Sequence, residues 1–328
     1  MPGLCYRDLV SVISEPAAVQ VENLSYRYGE RVALKAIRFA VARGEIFGLL
    51  GPNGGGKTTL FRILSTLLQP EGGSARIFGA DVAAEPLAVR RRIGVVFQNQ
   101  SLDRRLTAEE NLVHQGHLYG LKGAVLSERI SHVLDRLGIA ARRGEVVEKL
   151  SGGLRRRVEL AKGLIHQPEL LLLDEPSTGV DPGARLDFWE YLKLLRREEG
   201  VTILLTTHLL DEADKCDRLA VLDEGSIVAE GTPQALKRSI GGDVVLLTSG
   251  SPEDLALRIT ERFGLAASIV NSAVRFEHPN GNEFVSRLMQ ELREPIDSVT
   301  VSRPTLEDVF IHATGHRFGE NAMETNQR

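Results

Sequence analysis

The stretch "EIFGLLGPNGGGKTT", residues 45–59, decides the fold. Residues 45–50 are largely apolar, and the nine that follow hold four glycines and a lysine. Gly51, Gly56, Lys57 and Thr58 satisfy the spacing G-x-x-x-x-G-K-[ST]. In such a loop, glycines let backbone N–H groups turn inward around phosphates, and a following helix N-terminus adds its positive dipole end. The lysine reaches the outer phosphates and the hydroxyl faces Mg²⁺. Leu60, Ile63, Leu64, Leu67 and Leu68 then fall at helical spacing, so the loop joins a strand to a helix. The predicted phosphate-binding set is Gly51, Pro52, Asn53, Gly54, Gly55, Gly56, Lys57, Thr58 and Thr59. Kinases, GTPases, motors and pumps all use such loops, so the reaction stays open at this point.

Around the loop, "AVQVENLSYRY", "ALKAIRFAVARGEIFGLLG" and "GSARIFGADV" alternate apolar and polar residues, as half-buried strands do. From about residue 106 to 166 helix formers dominate and predict a helical insert. "ELLLLDEP" and "VTILLTTH" are continuous apolar runs bounded by charge, consistent with buried parallel strands, with "PGARLDFWEYLKLLRREEG" as the crossover helix between them. An α/β core with a parallel sheet follows. Its magnesium carboxylate belongs at the end of a buried strand beside the loop, where Asp174 stands. Glu175, next to it, could orient or deprotonate a water attacking a γ-phosphate. Near residue 240 the pattern changes, and the tail runs strand, helix, strand, strand, helix, strand and a closing helix. That βαββαβ order predicts a small ferredoxin-like α+β domain.

The composition narrows the partners. The 328 residues are 42% hydrophobic and 26% charged with a net charge of −4, which lacks the basic excess of nucleic-acid binders. No nucleic-acid partner is expected. No run of 18 or more uncharged apolar residues occurs, and the N-terminal 20 residues lack the pattern of a signal peptide. Cys5 and Cys216 stand apart without companion ligands, which predicts reduced thiols rather than a disulfide or zinc site.

What distinguishes this chain among P-loop proteins is "LSGG", residues 150–153, between the two nucleotide motifs and at the start of a helix. Here the sequence resembles the ATP-binding cassette family, of which LSGG is the signature. Gln98 in "VVFQNQSL" matches that family's Q-loop, "STGVDP" (177–182) its D-loop, His208 in "LLTTHLLDEA" its switch histidine, and Tyr28 its adenine-stacking aromatic. The resemblance implies an α/β P-loop ATPase domain over 18–240, with an antiparallel β subdomain and a helical subdomain at about 99–168. An accessory α+β domain follows at 241–316, with an extension at 1–17 and a tail at 317–328. ATP and Mg²⁺ are the expected cofactors, with Thr58, Gln98 and Asp174 toward the metal. Ser151 and the N–H groups of Gly152 and Gly153 make a second anion site at a helix N-terminus. By the same resemblance this site completes the ATP site of a second copy, so that two chains sandwich two ATPs. Asp181 spans that interface, and His208 contacts the γ-phosphate. Lys57, Gln98, Glu175, Asp181 and His208 are the expected catalytic set. Two departures stand out: Leu154 replaces the usual Gln or Met, and Gly55 the usual Ala. Arg155, Arg156 and Arg157 are expected on the solvated face of the signature helix.

"RPTLEDVFIHATG", residues 303–315, resembles the closing segment of ATPase subunits of type-two exporters, the group with daunorubicin-resistance-like and nodulation-type members. That implies export of a drug, lipid-linked or polysaccharide-like substrate through a separate integral permease, the ATPase sitting peripherally at the cytoplasmic face of the inner membrane. The rival expectation is a soluble cassette acting as a regulator or nucleic-acid factor. It is disfavoured by the lack of both a second cassette and long heptads.

Overall fold

The structure, a computed structural model, describes residues 17–292 and 296–318. All but residue 17 of the expected extension, Cys5 with it, and most of the expected tail lie outside the described residues. The chain divides into two compact units, residues up to 209 with 216–227, and 210–215 with 228 onward.

In the first unit, β1 (Val19–Tyr28) and β2 (Arg31–Val41) form an antiparallel pair, with Val19 opposite Val41 and Tyr28 opposite Arg31. β3 (Ile46–Leu50) is buried at every position and leads through the glycine loop into the helix Lys57–Leu64. β4 (Gly72–Ile77) and β5 (Ala80–Asp81) extend the first pair into a sheet of order β2-β1-β4-β5. After β6 (Ile93–Val96) come three helices, Ala108–Leu118, Gly123–Arg136 and Gly152–Leu164. The first of these is set by a capping box in which Thr107 and Glu110 satisfy each other's backbone N–H groups. β7 (Leu170–Asp174), the crossover helix Pro182–Glu199, β8 (Thr202–Thr207) and β9 (Arg218–Asp223) follow, and β10 (Ser226–Gly231) begins in the first unit and ends in the second.

The second sheet has the order β10-β9-β3-β8-β7-β6, and its pairs β9-β3, β3-β8, β8-β7 and β7-β6 are parallel. Burial on both faces explains why these strands carry unbroken apolar runs. Successive side chains nevertheless divide between two cores. Leu171, Leu173, Ile203 and Leu205 pack with Leu112, Ile130, Leu160 and Trp189 of the helices. Leu170, Leu172 and Leu204 face Phe39, Phe47 and Phe61, on the side of the antiparallel sheet. Each such leucine contributes about 1.5–3 kcal/mol by leaving water.

The second unit contains the sheet β12-β13-β11-β14, built from β11 (Asp243–Thr248), β12 (Ser268–Val270), β13 (Ala273–His278) and β14 (Ser298–Ser302). All its neighbours are antiparallel. The helices Pro252–Phe263 and Gly281–Glu291 place Leu255, Ile259, Phe284 and Leu288 against Val245, Leu247, Val274 and Phe276. This is the split βαββαβ arrangement expected for the tail. The unit begins earlier than residue 240, however, because the helix Pro233–Arg238 packs against the closing helix Leu306–Thr314. Lys237 Nζ also donates to Asp214 Oδ2 at 2.7 Å, holding the segment 210–215 in the same unit.

Candidate functional site

The residues that carry chemistry stand at the carboxyl ends of β3, β6, β7 and β8, where open parallel sheets bind ligands. The chain can turn after β3 because Gly51 has no side chain: a Cβ there would lie 2.2 Å from Leu222 O. Gly56, at φ 106°, closes the loop in a backbone region that L side chains rarely adopt. Lys57, the next residue, is 4% exposed. Its Nζ donates to Gly51 O at 2.7 Å and Pro52 O at 2.9 Å, and lies 3.6 Å from Glu175 Oε1. Burial pulls the Lys57 ammonium below the usual amine range, opposed by the charges of Glu175 and Asp174.

Register between β7 and β8 sets the acidic pair. Asp174 stands opposite Thr206, whose Oγ1 donates to Asp174 Oδ1 at 2.6 Å and accepts from Glu175 N at 2.9 Å. Burial raises the Asp174 carboxyl above the usual aspartate value, while the Thr206 bond and Lys57 act against the shift. Glu175 takes a left-handed backbone, φ 44°, which aims its side chain across the end of the sheet. Gln98 Nε2 and Thr178 Oγ1 donate to its Oε2 at 3.1 and 3.3 Å. His208 Nδ1 lies 3.2 Å from the same oxygen, at ion-pair distance. One carboxylate thus gathers Lys57, Gln98 and His208 from three separate segments.

A cleft of about 430 Å³ opens in front of Glu175, lined by Tyr28, Asn53, Gly54, Gly56, Lys57, Thr58, Thr59 and Gln98. Gly51, Pro52 and Gly55 instead form the floor of the loop, Gly55 O accepting from Gly225 N at 3.1 Å. Asp174, 4% exposed, lies behind the lining. Ser151, Gly152, Gly153 and Asp181 are not in this cleft. Ser151 caps the helix Gly152–Leu164 by accepting from Leu154 N, and Asp181 caps Pro182–Glu199 by accepting from Ala184 N at 2.9 Å. The two caps are neighbours: a Cβ on Gly153 would stand 4.0 Å from Asp181 Oδ2.

Several residues at the site escape sequence reasoning. Arg31 and Arg62 line the cleft with no motif to mark them. Thr206 had one signal, a hydroxyl within a buried apolar run two residues before His208. The arginine run corrects an expectation. Arg155 and Arg157 are partly exposed, but Arg156 is 6% exposed. Its Nε donates to Pro176 O at 2.6 Å, Nη1 to Phe97 O at 2.8 Å and Nη2 to Asp174 O at 3.4 Å. It faces inward because every fourth position of the helix meets the sheet, and the guanidinium finds carbonyls there rather than water.

The donors Thr58 hydroxyl, Gln98 amide and Asp174 carboxylate are hard oxygens, which suit Mg²⁺. Among the described residues no group of three or more His, Cys, Asp or Glu is arranged to hold a metal. A donor set with Asp174 as its one carboxylate, beside the glycine loop, fits the mode of magnesium binding in which a carboxylate acts together with phosphates.

Residues 34–178 match the family described as ABC transporter, and residues 231–314 match "ATP-binding protein DrrA1-3-like, C-terminal domain". The chain is 41% identical over 310 residues to the daunorubicin resistance ATP-binding protein DrrA3 of Streptomyces coeruleorubidus, covering 91% of this chain and 96% of that one. It is 42% identical over 303 residues to the Nod factor export ATP-binding protein I of Sinorhizobium fredii, covering 91% and 86%. Among solved structures, cbiO1 from Clostridium perfringens, part of the ABC transporter complex cbiONQ, aligns with a TM-score of 0.64 and 27% identity over 76% of this chain and 97% of its own. The dimeric structure of MJ0796, a bacterial ABC transporter cassette, aligns with a TM-score of 0.59 and 28% identity over 65% and 98%.

Proposed function

The chain belongs to the ATP-binding cassette ATPases, proteins that bind and hydrolyse ATP, and from that we propose that two copies enclose two ATP molecules and drive an exporter through a separate membrane permease. The observation that carries the two-copy site is a separation. Lys57, Gln98, Glu175 and His208 meet at one carboxylate, whereas Ser151, Gly152 and Asp181 face outward at two helix N-termini beyond that cleft. A second anion site facing away from the first has its use on a neighbouring molecule.

In this reading Tyr28 stacks on the adenine, and the backbone N–H groups of 51–59 with Lys57 hold the phosphates. Mg²⁺ neutralises charge on the outer phosphate oxygens when bound, with Thr58, Gln98 and Asp174 toward it. Glu175, held by Gln98 and Thr178, orients or deprotonates the attacking water, and His208 steadies the γ-phosphate. Ser151 and the N–H groups of Gly152 and Gly153 of the second copy close the site, with Asp181 beside them at the interface. Among the described residues no helix is long and apolar enough to cross a membrane. The proposed place of the chain, beneath a permease at the cytoplasmic face, rests instead on its likeness to ATP-binding proteins of drug resistance and Nod factor export. The relatives' names, one of daunorubicin resistance and one of Nod factor export, support export as the role, with a drug, lipid-linked or polysaccharide-like substrate as the proposed cargo.

Ser151→Arg tests the two-copy site. ATP binding by each chain should stay within about threefold, because the phosphate loop is untouched, while turnover falls by roughly 100-fold. Wild-type turnover in this variant would remove the second copy from the site. Copurification with a hydrophobic multi-span protein, and stimulation of its ATPase rate by a candidate cargo, tests the export role.

A further inference from the structure

Arg156 is a buried cation that, among the described residues, has no hydrogen-bonded carboxylate. Its guanidinium donates instead to three backbone carbonyls: Phe97 O at 2.8 Å, Asp174 O at 3.4 Å and Pro176 O at 2.6 Å. These carbonyls are not scattered. Phe97 O belongs to the peptide unit that carries Gln98 N, Asp174 O to the one that carries Glu175 N, and Pro176 is the residue after Glu175. One side chain thus fastens the backbone on both sides of Glu175 and immediately before Gln98. Its own backbone lies on the helix Gly152–Leu164, five residues after the cap Ser151, or about 7–8 Å along the axis.

Desolvating a guanidinium is costly, and burial pulls the Arg156 group below its usual range, with Glu159 and Asp174 as the opposing charges. An apolar side chain would fill the same space at less cost. What an apolar chain or a lysine lacks is a rigid fork of donors able to hold three carbonyls from two segments together. The packing agrees with a rigid link: Val158, Leu160, Ala161 and Leu164 of the same helix are buried in the core with Leu171 and Leu173 of β7. The helix therefore has little freedom to shift at its N-terminus without moving the guanidinium.

We infer that Arg156 is a positioning residue that ties the helix headed by Ser151 to the backbone of Glu175 and Gln98. It thereby makes the hydrolytic geometry of a chain's own ATP site depend on whether its Ser151 is engaged at the other site. This rests on the two-copy reading above. Each chain gives Ser151 to one ATP and Glu175 to the other, so a link between those residues couples the two sites. The coupling runs through hydrogen bonds to backbone and not through any side chain that touches nucleotide.

The experiment uses the purified full-length chain and its Arg156→Met and Arg156→Lys variants. Mg-ATP affinity of each chain is measured by a fluorescent nucleotide, turnover as a function of ATP concentration, and thermal melting as a check on folding. Wild type should hydrolyse ATP with a Hill coefficient above 1. Arg156→Met should bind nucleotide within about threefold of wild type, turn over at least about tenfold more slowly, and show a Hill coefficient of about 1. Arg156→Lys keeps the charge but not the fork, and should show the same loss of cooperativity; it supplies the measurement if the methionine variant does not fold. A side chain with a purely structural role would lower the melting temperature while leaving the Hill coefficient of the folded fraction unchanged. That result overturns the inference, as does a non-cooperative wild type or a variant with wild-type kinetics. If Ser151→Arg retains full activity, the two-copy reading itself fails. If Ser151→Arg is inactive while both Arg156 variants remain cooperative, only the link through Arg156 fails.

Discussion

Thr206 shows how a single buried hydroxyl can serve two acidic residues at once. It donates to Asp174 Oδ1, which leaves the other carboxylate oxygen for a cation, and accepts from the N–H of Glu175 in its left-handed backbone. Thr206→Val preserves shape but leaves that N–H unsatisfied, at a cost of about 1–3 kcal/mol. The Mg²⁺ concentration needed for nucleotide binding should rise 10–100-fold, as is typical when an outer partner of a metal ligand is lost, and Thr206→Ser should restore it. Titrating a fluorescent ATP analogue with and without Mg²⁺ checks this, and an unchanged Mg²⁺ requirement would free Asp174 from Thr206. Asp174 itself is carried at a cost in stability. Burial raises its folded pKa above 3.8, so the unfolded chain gives up this proton first as pH rises, and stability falls across the window from 3.8 up to the raised folded value. Above that window the loss is complete. Asp174→Asn, whose amide oxygen can still accept from Thr206, should therefore melt a few degrees higher than wild type at neutral pH and match it more closely in acid, while losing Mg²⁺-dependent nucleotide binding. A scan of melting temperature against pH for both proteins decides it. Lys57, Glu175 and His208 were legible because each follows an apolar strand at motif spacing. Thr206 and Arg156 were not, because their roles depend on partners 18 to 59 residues away that only strand register and helix docking bring near.

Among the elements, the parallel strands were the easiest to foresee. Strands buried on both faces must be apolar throughout, and "LLLLD" and "TILLTT" are close to that limit, with every residue buried. The βαββαβ order of the tail was also legible, from amphipathic helices alternating with short β-branched runs. Sheet order and the start of the second unit were not, since both follow from contacts between segments distant in sequence. The helix Pro233–Arg238 is the clearest case: by composition it closes the first unit, yet it packs against Leu306–Thr314. That closing helix buries Leu306, Val309, Phe310 and Ile311, and Arg275 pairs with Asp308 on it at 3.2 Å with 6% of its side chain exposed. Ending the chain at residue 304 would strip away those four apolar side chains and leave Arg275 with Glu277 alone. The truncated protein should lose several kcal/mol in the second unit and be protease-sensitive there. Mapping early cleavage sites by mass spectrometry would show it; protection equal to that of the full chain would mean that the helix adds little.

Across the whole molecule, the path of the chain has its own consequence. It leaves the first unit after residue 209, returns at 216, and leaves again after 227. Three covalent crossings thus join the units, and residues 210–215, fastened by Asp214 to Lys237, are a short stitch of the first segment sewn into the second unit. A single nick after β10 frees no fragment unless this stitch is also drawn out. Exchange of the second unit between two copies, which usually needs only one open hinge, would here require all three connections to reopen in concert.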